Sequence, residues 1–285
     1  MADNPHTKPF AFWEWLISEV KAEWPETIFL AEAFTRPAVM ERLAKVGFTQ
    51  SYTYFAWRNT RREIERYFGE LDAPGLRDFF RPNLWPNTPD ILTEYLQLGG
   101  PAAFVTRLVL AATLGASYGI YGPPFERCEA RPREPGSEEY LDSEKYQLRD
   151  WGVPGNEPLR ELIGRLNRVR RANPALQRDE GLHFHAVDND DLICFSKRSG
   201  DGSNVIVVVV DLDPVHRQSG WVTLDLEALG LSAGQAYQVH DLIGDARFLW
   251  HGERNFVELD PAVMPAHVLL LRRRVRTEHD FEYYL

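Results

Sequence analysis

The stretch that decides the reading of this chain is Thr27-Ile-Phe-Leu-Ala-Glu-Ala-Phe-Thr-Arg-Pro37. Four apolar residues in a row, with no room for a helical period, predict a short buried strand over Thr27 to Ala31. The run ends on one carboxylate, Glu32, between two alanines, and Pro37 then opens a helical segment that stops at Gly47. A buried strand that delivers an acid to the loop at its end, followed by a helix, is the repeating unit of a parallel β/α architecture. In such folds the strand ends aim side chains into a pocket.

Outward from this stretch the same alternation continues. Upstream, residues 1–9 are irregular and polar. Phe10 to Trp24 has a helical spacing that places Phe12, Trp13, Leu16, Ile17 and Val20 on one face, and Pro25 ends it. Downstream, Phe48 to Phe55 reads as a strand, Asn59 to Leu71 as a charged helix and Phe79 to Leu84 as a further strand. The loop Trp85-Pro-Asn-Thr-Pro-Asp90 follows, then helices over Ile91 to Gln97 and Ala102 to Ala116, and a short strand over Ser117 to Tyr121. Strands alternating with helices predict βα units and a parallel sheet. Residues 122–158 form a long loop rich in Pro, Gly and acids. Its aromatics Phe125, Tyr140, Tyr146 and Trp151 favour an ordered, functional loop. Leu159 to Ala172 closes this part as a helix.

After Pro174 the pattern changes to short strands at regular spacing: Leu182–Val187, Leu192–Lys197, Asn204–Asp211, Trp221–Leu226, Tyr237–Leu242, Phe256–Leu259 and His267–Arg272. This predicts an all-β antiparallel sandwich. The expected organisation is therefore α/β, with residues 1–174 as one domain and 175–285 as a second. The basic run starting at Arg272, followed by Glu278, His279 and Asp280, reads as a solvated tail.

Composition bounds the function. The chain has 285 residues, 44% hydrophobic, with 8 Trp, 11 Tyr and 16 Phe, enough for a sizeable core. A formal charge of −10 argues against nucleic acid or an anionic membrane as partner. Cys128 and Cys194 fit neither a disulfide framework nor a metal site, which suits a reducing cytoplasm. No apolar run reaches the roughly 18 residues of a membrane span. The first residues lack the basic start and apolar centre of a signal peptide.

Three acids occupy equivalent places in the repeat. Asp3 lies one βα unit before Glu32, and Asp90 lies two units after it. In a parallel barrel all three would converge on the face where the strands end. Carboxylates grouped in this way suit glycosidic-bond chemistry, in which one attacks the anomeric carbon, one with raised pKa protonates the leaving oxygen and one favours the oxocarbenium-like transition state. Metal binding is the competing role, but no ligand spacing supports it.

At these residues a resemblance carries the reading further. Asp3-Asn-Pro-His-Thr-Lys-Pro9, Phe29-Leu-Ala-Glu-Ala-Phe-Thr-Arg-Pro37, Gly47-Phe-Thr-Gln-Ser-Tyr-Thr-Tyr-Phe55, Arg81-Pro-Asn-Leu-Trp-Pro-Asn-Thr-Pro-Asp90 and Arg133-Glu-Pro-Gly-Ser-Glu-Glu-Tyr-Leu-Asp-Ser-Glu-Lys-Tyr146 closely resemble the bacterial α-1,4-glucan:maltose-1-phosphate maltosyltransferases, a branch of the α-amylase superfamily (glycoside hydrolase family 13). The resemblance implies a retaining glycosyltransferase without cofactor or metal that extends α-1,4-glucan with maltosyl units from α-maltose 1-phosphate. It assigns Asp3 as nucleophile, Glu32 as acid/base and Asp90 as transition-state stabiliser. Asn4 would bind the donor near its phosphate, and Lys145 and Tyr146 would contact the maltosyl group. His6 and Arg36 are lesser candidates.

In that family the nucleophile ends the fourth strand of a (β/α)8 barrel, two residues after an arginine; here Met1 stands in the arginine's place. The expectation is thus the C-terminal half of the barrel plus the sandwich, with the family's dimer-forming N-terminal regions missing. Such a chain would be inactive alone unless a complementing N-terminal half is supplied. The alternative is a dead fragment that retains only α-glucan binding. Trehalose synthase and hydrolase activities are disfavoured, since those enzymes usually carry His-Asp where this chain has Asn87-Thr-Pro-Asp90.

Overall fold

The computed structural model describes residues 1–152, 155, 157–232, 234 and 236–272. The basic run beyond Arg272 and the acids at 278 and 280 lie outside the described residues. By their internal contacts the described residues form two compact units. One comprises Met1–Gly100 with Leu114–Leu159, the other Pro101–Thr113 with Arg160 onward.

The first unit is built on five short strands: β1 (Ala2–Asp3), β2 (Leu30–Glu32), β3 (Gln50–Tyr52), β4 (Pro82–Leu84) and β5 (Ser117–Tyr118). They pair in sequence order, parallel throughout. Helices α1 (Phe10–Glu23), α2 (Pro37–Lys45) and α3 (Arg61–Leu71) fill the connections. α2 begins on Pro37, whose fixed φ suits the first helical position. α3 begins on a capping box, in which Thr60 Oγ1 accepts from the Glu63 N–H while the Glu63 carboxylate accepts from the Thr60 N–H.

The apolar stripe of α1 is narrower than its spacing predicts. Ile17 is buried and Trp13 packs its ring against Phe48 at 5.1 Å, but Phe12 stays 41% exposed. The core beneath it joins Ile17, Ala31, Ala33, Leu43, Val46 and Phe48.

In the second unit, β6 (Leu182–Val187), β7 (Leu192–Arg198), β8 (Val205–Asp211), β9 (Gln218–Thr223), β10 (Ala236–Asp241), β11 (Arg247–His251), β12 (Arg254–Leu259) and β13 (Ala266–Arg272) form one antiparallel sheet in the order β11-β10-β13-β8-β7-β6-β9-β12. β6 is a corner strand, pairing with β7 through residues 182–185 and with β9 through 186–187. The sheet folds over there and encloses Leu192, Cys194, Val207, Val209, Val222, Val257 and Leu269. The end strands β11 and β12 are joined by a two-residue turn, so the sheet curls almost into a barrel. β11 is the strand missing from the sequence reading; its residues are exposed except Trp250, so no period-two signal marks it.

Candidate active site

β1 and β2 pair so that Asp3 stands directly beside Glu32. The chain then turns sharply. Asn4 adopts a left-handed conformation (φ 45°, ψ 49°), and its N–H donates to the Glu32 carbonyl at 3.0 Å. Thr7 Oγ1 donates back to the Asn4 carbonyl at 2.8 Å, and the Trp13 indole N–H donates to the Pro5 carbonyl at 2.8 Å. Asp3 and Asn4 are thus held by a two-residue ladder and a stapled turn. Asn is among the few side chains that tolerate this backbone.

Glu32 is buried, and its pKa is pushed up from 4.5 to about 7. Burial is the largest cause, followed by the charges of Asp3 and then Asp90, while the N-terminal amine pulls the other way. All three sequence-predicted acids therefore lie within electrostatic reach of one another, although Asp90 comes from a loop and not from a strand. Two environments result: Glu32 is poised between its protonated and ionised forms near neutral pH, and Asp90 is half exposed beside a cation.

That cation is Lys145, whose Nζ lies 3.1 Å from Asp90 Oδ1 and 3.4 Å from Glu139 Oε1. Its pKa is pushed up to about 12, chiefly by the bond to Asp90. Tyr146 is 62% exposed and donates its hydroxyl to Glu139 at 3.2 Å, and the Arg133 guanidinium sits over its ring. The stretch just before both residues is tied to the rest of the first unit by hydrogen bonds. The Leu92 N–H donates to the Glu138 carbonyl, the Trp57 indole to the Glu138 carboxylate at 2.9 Å and the Gln97 amide to the Ser137 carbonyl at 2.8 Å. Buried Asn87 ties the middle of the long loop to its start through the Tyr140 hydroxyl and the Tyr121 backbone. Glu139 is the hub, accepting from Arg133, Lys145 and Tyr146.

Sequence reasoning missed two aromatic residues of the site. Tyr52, at the end of β3, has its ionisation disfavoured by burial and then by the charge of Glu32. Its ring stacks on Trp85 at 4.7 Å with planes 22° apart. Trp85 fits only because residue 119 is glycine, where a Cβ would lie 2.2 Å from the indole. The β-rich run around β3 and the bulk of Trp85 signal burial, but nothing local says that the two rings meet.

His6 keeps a buried Nδ1 with no hydrogen-bond partner among the described residues, and Arg36 is exposed. No group of three or more His, Cys, Asp or Glu among the described residues is arranged to hold a metal ion. The second unit contains a His185–Ser196 contact of 2.9 Å, but it is not an activated nucleophile. The Asp225 N–H donates to His185 Nδ1, which leaves the ring proton on Nε2 to be donated to Ser196.

Residues 184–271 match the family model described as GLGE, C-terminal. The chain is 50% identical over 271 residues to the α-1,4-glucan:maltose-1-phosphate maltosyltransferase of Methylacidiphilum infernorum, covering 94% of this chain and 40% of that protein. It is 51% identical over 274 residues to the enzyme of the same name from Chlorobaculum tepidum, covering 93% and 40%. Among solved structures, an Anoxybacillus α-amylase superposes with TM-score 0.68 at 14% identity, covering 96% of this chain and 59% of that one. A maltogenic α-amylase from Thermotoga neapolitana superposes with TM-score 0.63 at 15% identity, covering 94% and 60%. These structures share the fold, at an identity too low to carry activity across. No described helix is long and apolar enough to cross a membrane. The chain spans about 40% of the length of its curated relatives, is similar in sequence over that span to α-1,4-glucan:maltose-1-phosphate maltosyltransferases, and shares its fold with the α-amylases.

Proposed function

We propose that this chain contributes the carboxylates of a retaining maltosyl transfer from α-maltose 1-phosphate to the non-reducing end of an α-1,4-glucan. The observation that carries the proposal is the grouping of three carboxylates, with Asp3 in register beside buried Glu32 on paired strands and Asp90 within electrostatic reach, where burial first and the charges of Asp3 and Asp90 next raise the pKa of Glu32. In the first step Asp3 attacks the anomeric carbon, the bond to phosphate breaks, and Glu32 gives its proton to the departing oxygen. In the second step ionised Glu32 takes the proton of the acceptor hydroxyl, whose oxygen displaces Asp3. A pKa near the working pH serves both directions of this proton transfer. Asp90 stabilises the positive charge that develops on the sugar ring. Lys145, drawn from its pair with Asp90, and Tyr146 contact the maltosyl group, while Asn4 faces the donor phosphate.

In this proposal residues 1–174 act as the C-terminal half of a (β/α)8 barrel and 175–285 as the sandwich domain. The remaining donor contacts come from a portion matching the rest of the relatives' length, in the same polypeptide or a complementing one, working in the cytoplasm as a homodimer. The test is a graft in which this chain replaces the matching portion of the Chlorobaculum tepidum relative. Phosphate release from α-maltose 1-phosphate with glycogen is expected, with a loss of about a thousandfold or more in Glu32→Gln. A folded graft that releases no phosphate, or that is indifferent to Glu32→Gln, overturns the proposal. Retention on glycogen without turnover would favour the binding-only alternative.

A further inference from the structure

The outward face of β9 and β12 carries a pair of rings with no part in the chemistry above. Trp221 and Phe256 are direct cross-strand partners. Their centroids lie 5.5 Å apart with planes inclined by 64°. They remain 41% and 51% exposed while the alternate residues Val222 and Val257 fill the core, so the pleat itself holds both rings outward. A polar frame surrounds them. The Arg254 guanidinium lies over the Trp221 ring at 4.8 Å and reaches Asp188 Oδ2 at 3.2 Å, and Asp188 Oδ1 accepts from the Trp221 backbone N–H at 2.6 Å. At the other end Arg217 pairs with Glu258 and Asp260.

We infer that this face is a second binding site for α-1,4-glucan, formed wholly by the second unit. The identity of the glucan rests on the reading of the chain as part of an α-glucan enzyme; the site itself rests on the surface. A pyranose presents an apolar C–H face and a rim of hydroxyls, which calls for exposed rings bordered by fixed donors and acceptors. Arg254 pairs with Asp188, and Arg217 with Glu258 and Asp260, so the face suits a neutral ligand and not a polyanion, in keeping with the formal charge of −10. A protein partner is disfavoured by size. A stable interface needs about 800 Å² per side, and the residues flanking the rings on the same face, Ser219, Thr223, Arg254 and Glu258, are polar. The inclination selects among glucans. α-1,4-Linked chains coil, so successive sugar faces tilt against one another and meet inclined rings, whereas flat β-1,4 chains need coplanar ones. Holding the polymer here raises the local concentration of acceptor ends.

The test is native-gel affinity electrophoresis of the whole chain with and without glycogen, with folding of each variant checked by circular dichroism. Wild type should be retarded by glycogen. Trp221→Ala and Phe256→Ala should each weaken apparent binding by about tenfold, a typical loss for one stacked ring. The double substitution should migrate as if glycogen were absent, and Trp221→Tyr should keep most of the retardation. In the graft, the double substitution should raise KM for glycogen while leaving turnover on maltohexaose unchanged, an outcome separate from whether Glu32 is catalytic. The inference is overturned if wild type is not retarded, if the double substitution is retarded like wild type, or if hydroxyethylcellulose retards equally. It is also overturned if the substitutions change the oligomeric state in gel filtration, which would assign the face to a second copy.

Discussion

Replacing Gly119 by alanine tests how the Tyr52–Trp85 stack is held beside Glu32. The added Cβ would lie 2.2 Å from Trp85 Cζ2 and 2.3 Å from Cε2. Carbon atoms sit comfortably at about 3.5–4.0 Å, so ring and strand must separate by about 1.5 Å. The indole cannot swing freely because Tyr52 stacks on it, and the backbone cannot retreat without stretching the Gly119 N–H bond to the Leu84 carbonyl, now 3.0 Å. Overpacking of this kind costs about 1–3 kcal/mol, and with both relief routes blocked the upper end is expected. The assay is urea unfolding, read against a matched control. At Gly69, inside α3, an added Cβ meets nothing within 4 Å, so Gly69→Ala should stabilise by about 0.5–1 kcal/mol. In the graft Gly119→Ala should also slow phosphate release, because Tyr52 moves with its partner ring. If Gly119→Ala unfolds at the wild-type urea concentration, the indole is not wedged as described and the reasoning fails.

Two further outcomes follow from local geometry. Glu32 binds its proton more tightly folded (about 7) than unfolded (4.5), so its contribution to stability is fully present below pH 4.5 and is lost as pH rises through 7; the shift corresponds to at most about 3 kcal/mol. Gln cannot ionise, so Glu32→Gln should match wild type near pH 4 and exceed it near pH 8, and parallel denaturation curves across that range would contradict this. Thr60→Ala removes the acceptor of the α3 capping box and should cost about 1 kcal/mol; an unchanged urea midpoint would show that the cap contributes nothing.

The acid-bearing strand was legible because a short apolar run ending in Glu32 permits few alternatives, although β2 spans only Leu30–Glu32 of the run. The strand expected over Phe79–Leu84 shrinks to Pro82–Leu84, because Phe79 and Phe80 close a turn through N–H bonds to the Leu76 carbonyl. Apolar content alone cannot distinguish those two fates. The strand expected over Trp221–Leu226 runs instead from Gln218 to Thr223. Asp225 then caps a short helical turn, accepting from the Ala228 N–H at 2.9 Å. Tyr146, which reads without the family as a packed aromatic, stands exposed, and the stretch before it is held by Glu138 and Tyr140, whose partners Trp57 and Asn87 lie 81 and 53 residues away. Contacts at that separation leave no local period to read. What the sequence did carry was the set of acids, because each is tied to a repeat.

The account turns on Glu32 being an acid raised to near neutrality by burial first and by the charges of Asp3 and Asp90 next. Its carboxyl carbon can be followed by NMR from about pH 3 to 9, the resonance assigned by its loss in Glu32→Gln. The midpoint should fall near 7 in the wild-type chain and drop in both Asp3→Asn and Asp90→Asn, further in the former because Asp3 exerts the larger effect. A wild-type midpoint near 4.5, or one that neither substitution moves, would contradict the convergence of the three acids and the acid/base role built on it.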